Sequence, residues 1–245
     1  MSGHSKWSTI KRQKGAADIK RGLTFTKVAN AITVAVKQGS SGDPNSNPKL
    51  RMVMESARAV NMPKENIQRA IDRGLGKLPG QVVEEVIYEG FGPGNTYLYV
   101  EGITDNKLRT NQEIKSIFER NGGRLGGQGS TAHMFEKVGE IKVKGRGGSK
   151  DDEMLELIDL GVKDMIDYLD KNIQKYLVYT ESSEFNTMGN KITRIGFEVE
   201  SQELVMKPMN LQSITDPDLL KKVIEFVERL EELDDIQKVY DNFRD

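Results

Sequence analysis

No cysteine occurs in the 245 residues, so disulfides, thiolate nucleophiles and cysteine zinc sites are excluded. Only two histidines occur, His4 and His133, which leaves a serine or cysteine triad almost nothing to work with. No apolar run reaches the length of a membrane span. No apolar region follows Met1, and Ser2 stands where N-myristoylation needs glycine, so neither a signal peptide nor that anchor is expected. Metal ligation needs clustered His, Cys or carboxylates, and no such spacing is legible. The paired acids Asp151/Asp152 and Asp234/Asp235 are read as solvated helix ends, the first pair suiting a helix macrodipole. No catalytic residue, metal, cofactor or small-molecule substrate is therefore assigned.

Charge of one sign is not lacking; it is segregated. The stretch GHSKWSTIKRQKGAADIKRGLTFTK, residues 3–27, holds Lys6, Lys11, Arg12, Lys14, Lys20, Arg21, Lys27 and the titratable His4 against the single acid Asp18. Residues 1–77 contain 15 Lys and Arg against 5 Asp and Glu, a net +10, while the remainder carries −11. Such asymmetry assigns separate tasks, one part facing a polyanion. Hydroxyl donors Ser5, Ser8, Thr9, Thr24 and Thr26 are interleaved with the cations, a mixture that phosphate backbones accept. Trp7, the only tryptophan, either stacks on a base or pins this segment to a helical core.

The pattern of apolar residues divides the chain. Phe25, Val28, Ile32 and Val36 recur at helical spacing up to Gly39. Asn47 is placed to cap a second helix with Pro48 at its first position, and Leu50, Val53, Met54, Ala57 and Val60 form its stripe. Pro63 opens a third, with Ile67, Ala70 and Ile71 inward and Gly74 as its stop. No helix-turn-helix with a distinct recognition helix is legible. After the GLGKLPG linker the period becomes two, and EEVIYEGFGPGNTYLYVEGIT reads as two strands around a Gly-Pro-Gly turn. Thr110 and Glu113 have capping-box spacing for the next helix, which Gly122 ends.

From His133 the elements run β-α-β-β-α-β, the order of a ferredoxin-like unit. The final helix and strand, TDPDLLKKVIEFVERLEELDD and IQKVYDNF, then need partners from before His133. The expected fold is α+β: an N-terminal helical bundle, then an α+β domain interrupted by an inserted ferredoxin-like domain. Its boundaries are read as 1–77, 78–132 with 208–245, and 133–207.

Three other motifs are weaker. GGRLGGQGST could cradle a phosphate through backbone N–H groups, but Gln128 stands where a Walker A lysine would be, and the loop is read as a structural turn. GRLG matches the GxxG of KH domains on two glycines alone. No RNP pattern is present, and Tyr97, Tyr99, Tyr176 and Tyr179 are read as packing rather than base platforms.

The segments GHSKWSTIKRQKGAADIKRGLTFTK, DPNSNPKLR, VNMPKENIQRAIDRG, YEGFGPG, TDNKLRT, NGGRLGGQGSTAHMF and ELVMKP, in that order along the chain, resemble the YebC/PmpR family. The resemblance implies the three-domain split arrangement and a non-enzymatic regulator of gene expression that binds nucleic acid. It leaves two targets open: DNA, for a transcriptional regulator, or rRNA and the ribosome, for a translation factor relieving stalls at proline-rich stretches. An enzyme holding a phosphorylated ligand in the glycine-rich loop is the alternative from another class. The nucleic-acid contacts are assigned to Lys6, Trp7, Lys11, Arg12, Lys14, Lys20, Arg21, Lys27, Lys49 and Arg51. A chain opening directly on the basic motif resembles a bacterial, cytoplasmic member.

Overall fold

The computed structural model describes residues 19–78 and 82–244. Its first three helices are α1 (Ile19–Gly39), α2 (Pro48–Ala59) and α3 (Lys64–Gly74). They share one core in which Ile32, Ala35, Val36, Leu50 and Ala57 are fully or almost fully buried. Asn47 caps α2 as its spacing predicts: its Oδ1 accepts from Leu50 N at 3.1 Å. Its Nδ2 also donates to the carbonyls of Ala35 at 2.9 Å and Ser41 at 3.0 Å, which ties the end of α1 to the start of α2. Gly39 leaves room for that amide, since a Cβ there would lie 2.3 Å from Nδ2. Asn47→Ala removes the cap and strands two carbonyls, so a loss of about 2 kcal/mol is expected in chemical denaturation. Asn47→Asp keeps the cap and loses less.

The chain continues as β1 (Glu84–Phe91), β2 (Tyr97–Thr104), α4 (Lys107–Arg120) and β3 (Arg124–Leu125). Next come β4 (Phe135–Lys144), α5 (Lys150–Asp159), β5 (Asp164–Asp170) and β6 (Ile173–Glu181). Then follow α6 (Phe185–Arg194), β7 (Glu198–Pro208) and β8 (Gln212–Ser213), and last α7 (Pro217–Glu231), β9 (Ile236–Asp241) and β10 (Phe243–Arg244).

One expected cap is corrected. Helix α4 starts at Lys107 rather than after Thr110, because Asn106 Oδ1 already accepts from Arg109 N at 3.1 Å. Thr110 is buried inside the first turn and its hydroxyl is used elsewhere.

The described chain divides into two compact units, 19–131 with 216–241, and 132–215 with 242–244. In the first, the sheet order is β3-β1-β2-β9, all antiparallel, so the C-terminal β9 completes a sheet begun by β1 and β2 before residue 132, as the insertion requires. Helices α4 and α7 pack through Phe118 and Phe226, whose rings meet edge-on at 5.0 Å. The three-helix module belongs to this same unit. Val34 of α1 is buried with Val83 and Ile103, so the module and the sheet share apolar contact.

In the second unit the sheet order is β5-β6-β4-β7, antiparallel throughout. Strand β6 lies between β4 and β5, the split βαβ arrangement expected of a ferredoxin-like unit. Gly139 lets α6 approach β4, for a Cβ there would sit 2.6 Å from the Phe185 ring. The last residues fall here rather than with the first sheet, because β10 pairs in parallel with β8.

Candidate nucleic-acid interface

Lys6, Trp7, Lys11, Arg12 and Lys14 lie outside the described residues. Lys20 and Arg21 belong to the first turn of α1. The other three assigned residues are engaged by the protein itself. Lys27 is half-buried and its Nζ donates to the Glu231 carbonyl at 2.6 Å. Burial pushes its pKa below the usual lysine value, against the attraction of Glu231 and Asp234. A cation at the last turn of α7 satisfies a carbonyl left without an intrahelical donor and suits the helix dipole. In this geometry Lys27 docks α1 on α7, which corrects its place in the phosphate-binding set.

Lys49 pairs with Glu85 at 2.6 Å and donates to Gln38 Oε1 at 2.6 Å. Both partners of that pair are about half exposed, so the bridge is weak and a phosphate can compete for the lysine. Arg51 spends two donors on the carbonyls of Pro44 and Asn45, both at 3.1 Å, and so clamps the loop that precedes α2. Three of its five N–H groups are left over.

The sequence reading missed three other cations. Arg58 on α2, and Lys64 and Arg69 on α3, are exposed, and their side chains have no hydrogen bond or ion pair among the described residues. Their signal was available: each falls on the outward side of a helix whose inward stripe is legible.

Two buried carboxylates settle what neighbouring motifs do. Glu89 is 4 % exposed and accepts from Gly129 N and Thr131 N, both at 2.7 Å. The glycine-rich loop thus cradles an anion, as its composition allows, and that anion is a side chain of the same protein. Asp235 corrects the reading of Asp234/Asp235 as two solvated acids. Asp234 is exposed, but Asp235 is 8 % exposed and its Oδ2 accepts from Thr110 Oγ1 at 2.6 Å, Arg109 Nη2 at 2.7 Å and Thr104 Oγ1 at 3.0 Å. Burial alone would raise its pKa; the bonds from Thr110, Arg109 and Thr104 outweigh it and hold the carboxyl below the ordinary aspartate value.

Beside this network lies a cleft of about 650 Å³ between α1, α3, α4 and the end of α7. Its walls include Asp105, Glu113, Glu232, Asp234 and Asp235 against Arg73 and Arg109. That balance repels phosphate, so the cleft is not where a nucleic-acid backbone lies. Among the described residues, no group of three or more His, Cys, Asp or Glu is arranged to hold a metal ion. No helix there is long and apolar enough to cross a membrane.

Comparison with known proteins matches nearly the whole chain. Residues 5–77 match the TACO1/YebC protein N-terminal domain, and residues 83–243 match the TACO1/YebC second and third domain. A protein of Syntrophomonas wolfei named "probable transcriptional regulatory protein" is 41 % identical over 244 residues, covering 99 % of this chain and 96 % of its own. One of Fusobacterium nucleatum with the same description is 43 % identical over 243 residues, covering 99 % and 96 %. The crystal structure of a conserved hypothetical protein from Aquifex aeolicus superposes with a TM-score of 0.85 at 36 % identity, over 98 % of this chain and 97 % of that one. With both stretches matched and relatives similar from end to end, the chain belongs to the TACO1/YebC family.

Proposed function

We propose that this protein is a non-enzymatic, DNA-binding regulator of transcription in a bacterial cytoplasm, gripping the phosphate backbone with its basic helical module. The observation that carries the reading is the charge division, +10 in residues 1–77 and −11 in the rest. The exposed Arg58, Lys64 and Arg69 add to the N-terminal cations on the same module. The descriptions of the relatives agree with it. Lys6, Lys11, Arg12, Lys14, Lys20 and Arg21 supply phosphate contacts, with Lys49 and Arg51 at their margin.

The test is the salt dependence of duplex binding. Each phosphate contact contributes about 0.9 to the slope of log K against log[salt]. Replacing Lys11, Arg12 and Lys14 by Ala should flatten the slope by up to about 2.7 and leave the circular dichroism spectrum unchanged. An unaltered slope in the triple variant would remove those residues from the interface.

A translational role is the second reading, and the −11 remainder favours it. Acidic domains are repelled by a duplex they lie along, but they suit a protein anchored to rRNA by one end. Co-migration with ribosomal particles in a sucrose gradient, lost in the same triple variant, would move the assignment from DNA to the ribosome.

A further inference from the structure

We infer that α2, the turn 60–63 and α3 form a helix-turn-helix whose second helix reads base edges in the major groove of duplex DNA, with Gln68 and Arg69 as the reading residues. This rests on the DNA-binding reading above and names the part of the module that would give it sequence preference.

The turn is built, not slack. Val60 closes α2, and Asn61 then takes a left-handed conformation at φ 54, which asparagine tolerates better than most residues. Asn61 N donates to Arg58 O and Met62 N to Ala57 O, both at 2.9 Å. The second bond reaches back five residues, the closing bond of a Schellman motif. Met62 is 7 % exposed and enters the same core as the fully buried Ala57. Pro63 then sets the entry to α3, and its carbonyl accepts from Asn66 N at 3.0 Å and Ile67 N at 3.2 Å. A four-residue connection between two helices is the spacing of a helix-turn-helix.

The position of α3 is fixed along its length. Ala70 and Ile71 are buried in the core, with Ile67 packed against it. Thr33 Oγ1 donates to the Ala70 carbonyl at 3.1 Å. At Gly74 a Cβ would lie 2.7 Å from Thr33 O, so α3 and α1 run close together there.

What α3 presents outward is chemically mixed. Lys64, Glu65, Gln68 and Arg69 are all exposed. Gln68 Nε2 donates to Asp72 at 3.1 Å, and Asp72 also faces Lys77 at 3.6 Å. A face that only gripped phosphates would be cationic throughout. Base edges present acceptors and donors side by side: Arg suits guanine and Gln suits adenine, each through two bonds. Duplex DNA is favoured over duplex RNA because a helix fits the B-form major groove and not the deep, narrow A-form one. The +10 charge of residues 1–77 complements that occupant.

The experiment selects from a pool of random-sequence DNA duplexes with the full-length protein and sequences what is retained. The wild type is expected to enrich a shared motif. Gln68→Ala and Arg69→Ala should each lose about tenfold or more of the preference at one base pair. Gln68→Ala, which removes no charge, should keep the wild-type affinity for unselected duplex and the wild-type salt slope, whereas Arg69→Ala should flatten the slope by no more than about 0.9. Arg69→Lys keeps the charge and the exposed position, so it should bind as tightly but lose the same preference. The inference is overturned if all three variants enrich the wild-type motif. It is overturned too if the wild type binds duplex but enriches nothing, which leaves the phosphate-gripping regulator standing. A wild type that binds no DNA, or selects only folded RNA from a matched RNA pool, overturns both.

Discussion

Asp235→Ala is expected to destabilise the first unit by about 3 kcal/mol, because three charge-assisted hydrogen bonds vanish together and two buried threonine hydroxyls lose their acceptor. Asp235 holds β9 to Thr104 at the end of β2 and to Thr110 and Arg109 in the first turn of α4. Asp235→Asn keeps the shape and one acceptor oxygen, so it should cost about half as much. The two variants also separate charge from shape through pH. The folded carboxyl holds its proton less tightly than an unfolded aspartate near pKa ~3.9. Its contribution is therefore full above that value and is lost as the pH falls through the lower folded-state pKa. Denaturation midpoints followed from pH 7 to pH 3 should fall more steeply for wild type than for Asp235→Asn. Parallel curves would show that the charge contributes nothing.

The second large effect belongs to Glu153, which is 2 % exposed in the other unit. It accepts from Tyr176 Oη at 2.7 Å, Arg146 N at 2.9 Å and Gly148 N at 3.1 Å. Burial opposes its charge, yet the bonds from Tyr176, Gly148 and Arg146 bring its pKa below the ordinary glutamate value. The Tyr176 hydroxyl is pushed well above the usual range, by burial first and then by Glu153. Glu153→Ala leaves that hydroxyl buried without its acceptor and frees the loop of residues 145–149, a loss of about 3 kcal/mol. Tyr176→Phe should restore about 1 kcal/mol to the alanine variant, because the stranded hydroxyl disappears with it. Hydrogen exchange at the β6 amides reads this unit directly. Additive effects of the two substitutions would mean that the pair is not coupled.

These two carboxylates also mark where sequence reading ran out. Periodicity locates a helix face or a strand, and it placed the three-helix core, the cap at Asn47 and the βαββαβ order of the inserted unit. It cannot tell that Asp235, one step after the exposed Asp234, turns inward, because that depends on Thr104 and Thr110 arriving from residues far away in the chain. Capping-box spacing at Thr110 and Glu113 was a true pattern outbid by Asn106, whose side chain reached the free N–H groups first. The glycine-rich loop was read as a structural turn, and composition does not reveal that Gly129 N and Thr131 N within it hold the Glu89 carboxylate. At the candidate interface, counting cations treated Lys27 as a phosphate ligand, whereas its neighbour in space is a helix end. The tight turn between α2 and α3 carries no glycine signal, because its left-handed residue is Asn61.

The pairing of β2 with β9 bears on how the chain is made. Thr104 and Asp235 are 131 positions apart, and Tyr240 reaches Glu101 across 139. During synthesis β2 emerges with β1 on one side and nothing on the other, while β4 to β7 find all their partners within the inserted segment. The insert can therefore close first, from local contacts, and the first sheet waits for nearly the last residues of the chain. For that interval the apolar Leu98 and Val100 sit on an open strand edge, the kind of surface that recruits other chains. A nascent chain halted before β9 is thus a candidate for chaperone capture, and release of the C-terminal segment is the step that makes it safe.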